Sequence, residues 1–144
     1  MNPDTAMQTK LDHGAAAAEL IDMILRDKGT FSDNPSCLPA AERSIYMCLM
    51  SLIDSCKLAL TTVGFSLSTP DCRAVVEFAA SKELIDAGAA RRLVAMAGLP
   101  HRLTHDYEQV TPIEVYGYLA PVLGLFNEMA PRFRSLIDSK RRES

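Results

Sequence analysis

The chain has no tryptophan, only 6% aromatic residues and no stretch in which apolar and polar residues alternate. A sheet sandwich is therefore a poor fit, because strands draw on aromatic and β-branched residues packed on alternate faces. No run approaches the ~18 consecutive apolar residues of a membrane span. The start, Met-Asn-Pro-Asp-Thr-Ala-Met-Gln, lacks the basic segment and apolar stretch of a secretory signal. The expectation is a cytoplasmic protein without a membrane partner. Glycine-rich phosphate loops and the H-E-x-x-H pattern are absent too, so neither a nucleotide cofactor nor a catalytic metal is expected. Cys37, Cys48, Cys56 and Cys72 form no C-x-x-C pair and read as free thiols, mostly buried. Finally, basic charge is not in surplus. At a net charge of −3 the chain is not a general polyanion binder, so any RNA contact must be local.

What is present is an alanine-rich apolar share of 48% in 144 residues, which fits one helical domain. We read residues 1–9 as a disordered N-terminus, 10–139 as the domain and 140–144 as a basic tail. Leu11, Ala15, Ala18, Ile21, Ile24 and Leu25 recur at helical spacing, and residues 27–36 form a loop. A second helix runs from about Pro39 to Gly64 through Ile45, Cys48, Leu49, Leu52, Ile53, Cys56 and Leu60. Thr69-Pro70 reads as the cap of a third, and Asp86 as that of a fourth. A kink or restart is expected at Ala97-Gly98-Leu99-Pro100. Thr111-Pro-Ile-Glu114 reads as a capping box opening a long last helix, bent at Pro121 and Pro131. The fold class is thus all-α, an antiparallel up-and-down bundle of four to five helices. The wide apolar stripe of the last helix, from Ile113 to Met129, fits either a homodimer face or a buried core helix.

The densest group of proton-exchanging side chains is His101-Arg102-Leu-Thr-His105-Asp106-Tyr107. In a helix Arg102 and His105, three apart, share a face. Histidine exchanges protons near neutral pH, and arginine can hold a phosphate. The same pair also fits an ordinary surface ion pair or a helix end. Arg91-Arg92 and Lys140-Arg141-Arg142 are the basic clusters; each fits a solvated surface or a phosphate contact. Along a straight helix Arg91 and Arg92 lie roughly 20 Å from His105, so only across a dimer would they line the same groove.

The stretch Leu84–Tyr116 resembles the signature region of HepT-like HEPN toxins. Met96-Ala97-Gly98, Leu103, His105, Tyr107, Val110, Pro112, Val115 and Tyr116 fall in register with the family phrase M-A-G-F-R-N-x-L-V-H-x-Y-x-x-V-D-P-x-x-V-Y. The resemblance extends more loosely over residues 39–135. It implies an HEPN-like bundle that cleaves RNA without metal, in a groove where two copies face each other. It assigns His105 as base or acid and Tyr107 as the tyrosine to which a minimal nucleotidyltransferase antitoxin transfers AMP.

Pro100 stands where the family has arginine, and His101 where it usually has asparagine. Arg102 is the candidate replacement cation, with His101, Arg91 and Arg92 as further phosphate contacts. Two expectations follow. The chain is a ribonuclease toxin using His105 with Arg102, His101 or both, or it is a catalytically degenerate HEPN domain that binds RNA or a nucleotidyltransferase.

Overall fold

The computed structural model describes residues 2–27, 37–66 and 71–143, without the side chains of Tyr107 and residues 140–143. Among them it forms α1 (Pro3–Arg26), α2 (Cys37–Thr62), α3 (Cys72–Ser81), α4 (Ala87–Met96), α5 (Leu99–His105), a 3₁₀ turn (Tyr107–Gln109) and α6 (Pro112–Glu143). No strand occurs among the described residues. The all-α bundle is as expected.

The first helix corrects the sequence reading. It begins at Pro3 instead of near Lys10. Asn2 caps it by accepting a hydrogen bond from the Thr5 N–H at 2.8 Å, proline fills the first turn, and Met7 is only 1% exposed. One buried methionine in a polar segment is too sparse a pattern to mark a helix. The other end differs as well, because α6 continues to Glu143 where a separate tail was expected from residue 140. Of the loop expected at 27–36, Asp27 caps the end of α1 and residues 28–36 lie outside the described residues, as does the Thr69-Pro70 cap. The observed cap of α3 is Asp71, whose carboxylate accepts from the Arg73 N–H at 3.0 Å. Asp86 caps α4 as expected, accepting from the Ala89 N–H.

The long helices α1, α2 and α6 share the core, with α3 and α4 packed beside them. On α2, Ile45, Leu49, Leu52, Ile53 and Cys56 are fully buried, and each large aliphatic contributes roughly 1.5–3 kcal/mol by leaving water. This helix is long and apolar enough to cross a membrane by length and composition, but these residues pack in the core. On α6, Val115, Leu119, Val122, Phe126, Met129, Phe133 and Ile137 follow steps of three and four and are all buried. That stripe serves the chain's own core, although Ile113 at its start is 85% exposed. Pro121 and Pro131 lie on the exposed face of a continuous α6.

The tightest point is Gly14 on α1. A Cβ there would lie 2.5 Å from Phe126 Cε2 and 2.5 Å from Ser51 Oγ. Its carbonyl also accepts from the buried Cys48 thiol at 3.5 Å. Alanine would add up to about 1 kcal/mol of helix propensity, but it would drive a methyl group into two buried side chains. Gly14→Ala is therefore expected to lose a net ~1–3 kcal/mol, measured by urea denaturation, and a stability equal to or above the original would show that the junction has slack.

Candidate functional site

The polar segment is carried by α5, a seven-residue helix that starts where Gly98 and Pro100 interrupt the chain. Pro100 lies in its first turn, where a missing N–H costs nothing. The restart expected there is thus observed. Leu99, Pro100 and Leu103 form the buried face, and His101, Thr104 and His105 are exposed. Thr104 Oγ1 donates back to the Pro100 carbonyl at 3.1 Å. The helix closes with the Asp106 N–H donating to the Arg102 carbonyl.

Four residues apart on the outer face, His101 and His105 stack with ring centroids 4.5 Å apart and planes inclined by 38°. Arg102 points to a different neighbour: its Nη2 donates to Glu114 Oε2 at 3.1 Å, both side chains 39% exposed. Glu114 belongs to the expected capping box. Half of that box forms, since Thr111 Oγ1 accepts from the Glu114 N–H at 3.2 Å. The Glu114 carboxylate, however, is engaged by Arg102.

Other candidates are dispersed. Arg92 on α4 is paired with Glu128 on α6, so neither Arg92 nor Arg102 is a free cation. Arg91 is exposed and lines a shallow cleft with Glu77 and Val94. The backbone of Tyr107 opens the 3₁₀ turn directly after α5; its side chain lies outside the described residues, as do those of Lys140, Arg141 and Arg142. All four cysteines are free, with Cys48 and Cys56 buried and Cys37 and Cys72 half-buried. Burial pushes the thiols of Cys48 and Cys56 up to about 12, which removes both as nucleophiles at neutral pH. Among the described residues no group of three or more His, Cys, Asp or Glu is placed to hold a metal ion.

The sequence reading named neither the His101–His105 contact nor the partner of Arg102. The stack of His101 on His105 follows from their four-residue separation and was legible as such. Glu114 as the partner of Arg102 was not, because the two are joined only by the path of the chain through the 3₁₀ turn. An open, largely apolar groove of about 710 Å³ between α4 and α6 includes Arg92, Met96, Glu114, Tyr118 and Leu125. It adjoins the Arg102–Glu114 pair through Glu114.

The all-helical bundle with a short connecting helix before its last long helix is HEPN-like. Residues 14–131 match the family described as ribonuclease HepT-like. The chain belongs to that HepT-like family. In three dimensions it is similar to a chain from a crystal structure of a toxin-antitoxin with AMP-PNP. The TM-score is 0.77 at 16% identity, over 92% of this chain and 99% of that one, a likeness of fold alone. No curated protein matches the sequence.

The Arg102–Glu114 pair is half in water, so it should be weak. A double-mutant cycle with Arg102→Ala and Glu114→Ala is expected to give a coupling of about 0.2–1 kcal/mol that fades in high salt. A salt-insensitive coupling above this range would mean that the pair holds α5 in place.

Proposed function

We propose that this chain is the toxin component of a toxin-antitoxin pair, a cytoplasmic, metal-independent endoribonuclease that works at a groove between two copies. The observation that carries the reading is the exposed stack of His101 on His105, with Arg102 between them in sequence. The chemistry it supports is transesterification of RNA. The ribose 2′-oxygen attacks the adjacent phosphorus and passes its proton to an imidazole, the P–O5′ bond breaks, and the leaving 5′-oxygen takes a proton from an acid. The need for a 2′-hydroxyl restricts the reaction to RNA.

Geometry favours two copies. In-line displacement puts the entering and leaving oxygens on opposite sides of the phosphorus, and two rings stacked on one helix face cannot flank it. The pair on one subunit serves one side, and the partner copy supplies the other. Arg102 binds the phosphate by exchanging Glu114 for it; the exchange costs little, because an exposed pair is worth only about 0–1 kcal/mol. Arg91 and Arg92 are further phosphate contacts, reaching the same groove only across the two copies. The partner that neutralises the toxin is a minimal nucleotidyltransferase that places AMP on Tyr107. The structural neighbour, a toxin-antitoxin with AMP-PNP, supports a nucleotide-dependent partner.

One observation favours a second reading. Pro100 occupies the position of the family's arginine and faces the core, so that position offers no cation, and the nearest replacement is engaged by Glu114. On this reading the domain is catalytically degenerate and binds RNA or the nucleotidyltransferase without cutting.

Purified protein is expected to cleave RNA in the presence of EDTA, and His105→Ala to reduce the rate by roughly 10²–10⁴-fold, read from labelled-RNA digests. Wild-type protein that binds RNA but leaves it intact would establish the degenerate reading. Incubation with the cognate nucleotidyltransferase and ATP should raise the mass by one or more AMP units, and Tyr107→Phe should remove the increase. An unchanged wild-type mass would dismiss Tyr107 as the modified residue.

A further inference from the structure

The face formed by α1 and α2 carries a cleft of about 320 Å³ that has no part in the chemistry proposed for α5. Lys10, His13, Arg43, Tyr46, Ser51 and Asp54 line it, with Met47 and Met50 beside them. Its volume falls within the roughly 300–1,000 Å³ of small-ligand sites. None of its lining residues belongs to α5 or α6.

The composition of the cleft is unlike that of the chain. Two fixed cations, Lys10 and Arg43, and the imidazole of His13 meet a single carboxylate, in a protein whose net charge is −3. Asp54 takes Lys10 at 3.3 Å, and no described carboxylate takes Arg43 or His13. The Arg43 guanidinium lies 5.1 Å from the centroid of the Tyr46 ring. A guanidinium held over a ring can still offer N–H groups to an oxyanion. Ser51 lies at the floor, its Oγ packed against Gly14 and not offered to the cleft.

We propose that the α1/α2 cleft is a binding site for a phosphorylated nucleotide. The phosphate sits against Arg43 and His13, with Lys10 completing the positive rim. The base lies on Tyr46 and the two methionines. The nucleotide comes from one of two sources, a free mononucleotide or the phosphorylated end of an RNA strand.

The test uses the full chain, with AMP, adenosine and a short RNA bearing either a 5′-phosphate or a 5′-hydroxyl, followed by calorimetry and backbone amide shifts. AMP is expected to bind more tightly than adenosine and to shift amides of α1 and α2. Arg43→Ala should weaken it by roughly tenfold or more, the loss of a charge-assisted hydrogen bond. Tyr46→Leu, which keeps the apolar packing, should weaken it several-fold at an unchanged Tm. Binding by the phosphorylated RNA alone would identify the strand end as the source. If neither AMP nor phosphorylated RNA shifts these amides, or if Arg43→Ala binds both as the wild type does, the site does not exist. His105→Ala should bind AMP normally, so loss of RNA cleavage and failure of this cleft are separable.

Discussion

The bundle depends on a place where α1 has no side chain. At Gly14 the backbone of α1 meets Ser51 of α2 and Phe126 of α6 so closely that one methyl group would overlap both. Interiors packed to crystal-like density do not absorb such an overlap without moving a neighbour. The small residues on the facing helix serve the same end. Ser51 and Ser55 are buried with unpartnered hydroxyls, a cost that larger apolar residues would avoid only by separating the helices. Close contact also lets the Cys48 thiol reach the Gly14 carbonyl. The position of α6 follows from this junction, and the position of α6 decides where Glu114 stands relative to α5.

The candidate site is built on the least regular part of that frame. α5 has only seven residues and no side-chain N-cap, so it gains little from its own hydrogen bonds. Its place is set by Leu99, Pro100 and Leu103 on the core side. A short element anchored on one face and exposed on the other is a usual setting for function, since the scaffold supplies rigidity and the exposed side supplies chemistry. The proline that removes the expected arginine also starts this helix and helps to anchor it.

Electrostatics explain how a chain of net negative charge can present phosphate-binding groups. Arg102 is held by Glu114, Arg92 by Glu128 and Lys10 by Asp54. Exposed pairs of this kind are nearly neutral in free energy. They keep cations in position and release them to a stronger anion at small cost. Arg43 and His13 have no described carboxylate partner, and the α1/α2 cleft sets them beside Lys10 and the Tyr46 ring.

Helical periodicity, the Asp86 and Thr111 caps and the restart at Pro100 were all legible in the sequence, because each depends on residues within a turn or two of one another. So was the family, through the run from Met96 to Tyr116. The start of α1 was obscured because its early turns bury little except Met7. The α6 stripe could be seen but not assigned, since a core face and a dimer face are written in the same residues; burial against α1 and α2 decided it. Only tertiary structure could show that Pro100 faces inward, that Arg102 is occupied by Glu114, and that Lys10, His13 and Arg43 line one cleft between α1 and α2. Local order is encoded in neighbouring residues, whereas the partner of a charge depends on how distant helices are brought together, and here a single glycine permits that approach.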